Sequence, residues 1–125
     1  MKWSATYIQD KRYVEIVIEG KFTAEGLIQM MDDVITREYW QPGMNVLSDF
    51  RKVKFDADSL AAIRKASEGR LKKEKQIGSG KSALLMNSLA DYGRGRQYQL
   101  LTESKISARL RVFTDEKEAI DWLLD

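Results

Sequence analysis

Asn45-Val46-Leu47-Ser48-Asp49-Phe50-Arg51, followed by Phe55-Asp56-Ala57-Asp58-Ser59-Leu60, decides the fold of this chain. The run from Asn45 to Asp49 is short, apolar and closed by a carboxylate, which reads as a brief buried strand. The second stretch puts Asp58 or Ser59 where a helix N-cap belongs, ahead of a long basic amphipathic segment. A strand that runs into a helix N-terminus is half of a βαβ unit. Free amide groups converge at that junction, so α/β folds place ligand or partner sites there.

Upstream, Trp3, Ala5 and Tyr7 share one side of an alternating segment that reaches Gln9. Tyr13 to Glu19 alternates again, with Val14, Ile16 and Ile18 together, and Asp10-Lys11 reads as a two-residue turn between the two runs. The chain therefore opens with a β-hairpin, which Gly20 ends. Thr23 caps a helix, with Glu25 in its first turn suited to the helix dipole. The spacing of Leu27, Met30, Met31, Val34 and Ile35 carries that helix from Ala24 to about Tyr39, before Gln41-Pro42-Gly43 breaks it.

Downstream, the second helix runs to about Gln76 with Leu60, Ile63, Ser67 and Leu71 as its inner stripe. Ser82 to Met86 is apolar without alternation, as expected of a strand covered on both faces. Ser88 caps a third helix to about Glu103, weakened by Gly93 and Gly95. Ile106 to Phe113 alternates, and Thr114-Asp115 starts a last helix in which Ala119, Ile120, Leu123 and Leu124 pack beside Trp122. The order ββαβαβαβα predicts an α/β single domain over 1–125, with a mixed, mostly parallel five-stranded sheet and about four helices.

The chain has 125 residues, 43% hydrophobic and 32% charged, and no run of apolar residues long enough for a membrane span or a signal-peptide core. A cytoplasmic location, extending to peripheral membrane contact, is the expectation. There is no histidine and no cysteine, which removes thiol and imidazole catalysis and the commonest zinc sites. A non-catalytic binding module is therefore expected, with no cofactor. Asp32 and Asp33 are adjacent on a helix and point apart, and no set of oxygen ligands can be assembled, so no metal is assigned. The charge is uneven: residues 51–81 carry +6, while the flanking thirds carry −3 and −1. Arg64, Lys65, Arg70, Lys72, Lys73 and Lys75 make the second helix basic, a solvated face suited to anionic surfaces.

Gly78-Ser79-Gly80-Lys81-Ser82 imitates a P-loop, but Lys75 stands where its first glycine belongs and the lysine precedes a strand instead of a helix. Tyr92-Gly93-Arg94-Gly95-Arg96-Gln97-Tyr98 mixes aromatics and guanidinium groups without an RNP-like strand, so nucleic acid is not expected. It reads as an irregular helix start with Tyr92 partly packed and the arginines solvated, and anion contact is a secondary role open to it. The first helix is apolar over more than one stripe. Ile28, Met31 and Ile35 extend it sideways, which fits a partner surface, a homodimer contact, a lid over an apolar pocket or core packing against a neighbouring helix.

The element order resembles the STAS fold of anti-sigma-factor antagonists, and within it the SpoIIAA-like family. The resemblance rests on the run from Val14 to Thr23, on Asn45 to Arg51, on Gly80-Lys81-Ser82-Ala83, on Tyr92-Gly93-Arg94, and on Arg111 to Asp115 with Glu118 to Leu123. It implies a regulatory binding module. In antagonist STAS domains a serine at the strand-to-helix turn is phosphorylated; here Asp58 occupies that position and Ser59 is next in the chain. The family is also similar to the lipid-binding CRAL-TRIO domain, which implies an apolar ligand or membrane association.

The expected function is engagement of a protein partner, a membrane surface or an apolar, lipid-like ligand. The candidate site is the edge formed by Asp49, Phe50, Arg51, Asp58, Ser59, Ser88, Tyr92, Arg94 and Arg96, with the arginines meeting an anionic group. The alternative is a nucleotide or small-molecule binding protein or an enzyme at the same edge, with Asp49 as base and Arg51 or Lys81 stabilising charge.

Overall fold

The computed structural model describes residues 1–56 and 59–125. The expected cap at Asp58 lies outside the described residues. β1 (Lys2–Ile8) and β2 (Tyr13–Lys21) pair antiparallel, with Ile8 opposite Tyr13. Their connection is longer than the expected two-residue turn and spans Gln9 to Arg12. The amides of Lys11 and Arg12 both reach the Ile8 carbonyl, and Arg12 closes the loop at a left-handed φ of 57°.

β3 (Asn45–Lys54), β4 (Lys81–Leu85) and β5 (Arg109–Phe113) add in parallel, giving the spatial order β1-β2-β3-β4-β5. The mixed, mostly parallel five-stranded sheet read from the sequence is present. One of its faces is covered by α1 (Ala24–Val34), α2 (Ser59–Leu71) and α4 (Leu89–Thr102), and the other by α5 (Glu116–Leu124). Val14, Ile16, Ile18, Val46, Phe50 and Leu84 face the three helices. Leu47, Ala83, Leu85 and Phe113 meet Ala119 and Leu123 of α5.

The caps fall where hydroxyls and carboxylates were available. Thr23 accepts from the Gly26 amide at 2.9 Å, Ser88 from the Asp91 amide at 3.2 Å, and Asp115 from the Lys117 amide at 2.9 Å.

Several boundaries depart from expectation. α1 stops at Val34 rather than near Tyr39, because the amides of Thr36 and Arg37 reach back only three residues, to Asp33 and Val34, and the Thr36 hydroxyl adds a bond to the Asp33 carbonyl. The second helix ends at Leu71 and a separate turn, α3 (Glu74–Ile77), comes after it, so among the described residues five α-helices stand where about four were expected. A 3-10 turn at Glu103–Lys105 delays β5 to Arg109.

β3 continues to Lys54, well past Asp49. Val17 pairs with Asp49 but Glu19 with Lys52, so β3 carries one extra residue, and this bulge lets Phe50 and Val53 enter the same core. The inner face of α2 is Ser59, Ile63, Ala66, Ser67 and Arg70; Leu60 is 42% exposed, and Leu124 of α5 is exposed too. The phase of α2 is set by small residues that let it approach α1 and α4, and Gly69 is one of them. A Cβ there would lie 2.6 Å from Cδ1 of Ile28.

Candidate functional site

Strand alternation divides the expected edge between two faces of the sheet. Asp49 and Arg51 lie on the α5 side, whereas Phe50, between them, is buried in the core beneath the three helices. Arg51 grips Asp49 through Nε to Oδ1 at 3.0 Å and Nη2 to Oδ2 at 2.8 Å, and its amide also donates to Oδ1 at 3.0 Å. The same guanidinium stands 3.6 Å from Glu116 of α5. Burial works to raise the Asp49 carboxyl, but the hydrogen bonds from Arg51 and the charges of Arg51 and Lys52 outweigh it, leaving the pKa below its ordinary value. A carboxylate held in this way is a weak base.

On the opposite face, Ser59 opens α2 in a buried position, and Arg94 of α4 donates from Nε to its Oγ at 3.2 Å. Arg94 also binds Asp91 at 2.8 Å, and its guanidinium lies 5.9 Å from the centre of the Phe55 ring. Ser59 and Arg94 are therefore brought together. Ser88, Tyr92 and Arg96 are not joined to them. Ser88 is engaged as the α4 cap and Tyr92 is exposed. Arg96 turns along the helix to Gln99 Oε1 at 2.6 Å, and Gln99 in turn donates to the Leu110 carbonyl at 2.7 Å.

Lys81 is also engaged elsewhere. Its Nζ donates to the carbonyls of Trp122 at 2.8 Å and Asp125 at 2.7 Å, closing the C-terminus of α5, where a cation suits the helix dipole. The glycines before it serve packing. A Cβ on Gly80 would collide with the Met44 carbonyl, so the imitation of a P-loop is a close crossing of two loops.

The concave feature of this face is a cavity of about 100 Å³ between the sheet and α1, α2 and α4. The sheet contributes Ile16, Phe50 and Leu84, and the helices contribute Leu27, Met31, Ile35 and Ile63. Of the three side chains in the lateral stripe of α1, Met31 and Ile35 wall this cavity, and Ile28 packs over Gly69 of α2. Lys65 and Lys73 of the basic segment pair with Glu25 and Asp32 of α1, clamping that wall in place.

Polar groups reach the cavity at few points. Ser48 and Ser82 rise from the sheet, and Arg94 stands at the end where β4 enters α4. Arg70 stands at the other end, near Ile77 and Gly80. By charge it belongs with the solvated basic face, yet it is only 4% exposed, because it lies seven residues after Ile63 and four after Ala66, in phase with the buried stripe. That phase is the sequence signal that marks it. Its Nη1 donates to Glu74 Oε1 at 3.1 Å, while its buried Nη2 has no partner among the described residues. Tyr98 of α4 also lines the cavity; burial pushes its phenol up to about 12 against the pull of the Arg70 charge, so it remains a protonated donor.

Among the described residues, no group of three or more carboxylates could hold a metal ion, and no helix is long and apolar enough to cross a membrane.

No family model and no curated protein matches the chain. Among solved structures it is similar to an uncharacterized protein from the DUF3478 family with a SpoIIAA-like fold, from Shewanella loihica PV-4. The two are 18% identical, with a TM-score of 0.62, and the match covers 98% of this chain and 92% of the other. The strand order, the opening hairpin and this near-complete superposition agree with the resemblance read from the sequence: the chain has a SpoIIAA-like fold.

Proposed function

We propose that this protein is a non-catalytic, STAS-like binding module that accommodates an apolar ligand between its sheet and α1, α2 and α4. The supporting observation is the cavity itself, a space of about 100 Å³ bounded mainly by aliphatic, aromatic and methionine side chains. Binding sites for small molecules are largely apolar with a few placed polar groups. Flexible methionines at Met30, Met31, Met44 and Met86 let such a wall adapt. The enzyme alternative has less support, because Asp49 is locked to Arg51 and the Lys81 amine is spent on α5. Location in the cytoplasm, with contact at a membrane surface, belongs to the same proposal. Native mass spectrometry of the freshly purified protein tests the binding part. A bound apolar compound near one-to-one occupancy is expected; a clean apo mass, together with no thermal shift across a panel of small apolar compounds, would falsify it.

A second reading, a protein contact, is favoured by exposed apolar side chains at the end of the sheet where Ser59 meets Arg94. Leu60 is 42% exposed and Leu89 84% exposed, with Tyr92 one turn further along α4. A second copy of the chain is the simplest occupant. Light scattering checks it: a dimer that Leu89→Ser converts to monomer supports this reading, and a monomer at all concentrations removes it.

A further inference from the structure

The polar end of the cavity adds chemical selectivity to the ligand binding proposed for it, and depends on that binding. Arg70 carries its guanidinium almost fully buried, at 5% side-chain exposure, and makes one hydrogen bond, from Nη1 to Glu74. Glu74 cannot serve the rest of it. Its second oxygen already accepts from the Ser107 amide at 2.6 Å and the Ser107 hydroxyl at 2.7 Å, which holds the carboxylate toward β5 and on the partly solvated side. Among the described residues Nη2 finds no acceptor, and it lies buried at the border of an apolar space. A buried donor on a charged group is costly when unpaired and binds strongly when an anionic acceptor arrives. Tyr98 from α4 borders the same space and supplies a phenol hydroxyl.

We infer that the cavity takes a small monocarboxylate, its apolar body against Leu27, Met31, Phe50 and Ile63 and its carboxylate on Arg70. Size restricts the body. An apolar cavity of about 150 Å³ holds a benzene ring, so a smaller space of about 100 Å³, with methionine walls that yield, suits a body of roughly four to five carbons. The ligand's negative charge replaces no protein contact, since Glu74 keeps its own bonds to Ser107. The arrangement therefore selects by head group: an ester or alcohol of the same length fills the apolar space but leaves the guanidinium without an anionic partner.

Calorimetric titration of the unaltered protein with pentanoate, methyl pentanoate and 1-pentanol tests this. Pentanoate is expected to bind at least tenfold more tightly than either neutral compound. Arg70→Met, checked for folding by circular dichroism, is expected to lose that preference while still binding 1-pentanol. Equal affinity for all three compounds in the unaltered protein overturns the assignment to Arg70 and leaves the apolar site standing, as does a preference that survives Arg70→Met. Absence of binding by all three overturns the inference together with the reading on which it rests. Because the head-group comparison is made on the unaltered protein, the outcome stands even where Arg70→Met does not fold.

Discussion

The Ser67 hydroxyl lies 2.6 Å from the Thr102 hydroxyl, with both side chains buried, and this bond joins α2 to α4 in their buried contact. Removing one partner strands the other. Ser67→Ala is expected to destabilise the fold by roughly 1–3 kcal/mol, because the Thr102 hydroxyl loses its partner away from water. Adding Thr102→Val should restore much of the loss. Urea unfolding of the two single variants and the double variant checks this; simple additivity of the two losses would refute the pairing.

Gly93 and Gly95 lie two residues apart on α4 and are expected to respond oppositely to alanine. A Cβ at Gly93 meets open space, so Gly93→Ala should stabilise the helix by roughly 0.5–1 kcal/mol. A Cβ at Gly95 would stand 2.9 Å from Cγ1 of Val112, against the sheet, so Gly95→Ala should cost roughly 1–3 kcal/mol. Thermal unfolding separates them, Tm rising for the first and falling for the second.

Asp33 accepts from Arg37 at 3.2 and 2.8 Å and from the Trp3 indole at 2.8 Å. The Arg37 bonds, then the Trp3 bond, lower its pKa from 3.8 to about 2. The folded state thus prefers the ionised carboxylate. Its contribution to stability is complete above the unfolded value and is lost as pH falls from about 4 through about 2. Urea midpoints measured across that window should fall more steeply for the unaltered protein than for Asp33→Asn.

Lys81→Met is expected to lower stability by roughly 1.5–3 kcal/mol, since two charge-assisted bonds to the end of α5 disappear. Affinity for pentanoate should not change, because Lys81 borders the cavity but its amine is bonded to the end of α5. An equal loss of both would place Lys81 in the binding site and contradict the two-face division.

The element order was readable because period and punctuation are local. Val14, Ile16 and Ile18 alternate, Ser82 to Met86 does not, and Thr23, Ser88 and Asp115 stand where unpaired helix amides need acceptors. Departures gather where the outcome depends on distant chain or on competing bonds. The bulge in β3 arises from its pairing with β2, and the early end of α1 from short-range bonds that displace the helical ones. The candidate edge was only partly legible. A window of sequence shows that Asp49, Phe50 and Arg51 are neighbours, but strand pleating sends Phe50 to one face and pairs Asp49 with Arg51 on the other.

The sequence by itself determined the class of fold, the mixed sheet, the caps of α1, α4 and α5 and the chemistry excluded by the lack of histidine and cysteine, because each depends on residue type and short spacing. Tertiary structure alone decided which charged groups are spent and which are left unpaired. Lys81 and Arg70 are both basic residues in the same charged third of the chain. One closes a helix; the other points a buried donor at an apolar cavity. That difference arises from the packing of α2 between α1 and α4, which buries the Arg70 guanidinium where an ordinary basic residue of a surface helix would be solvated.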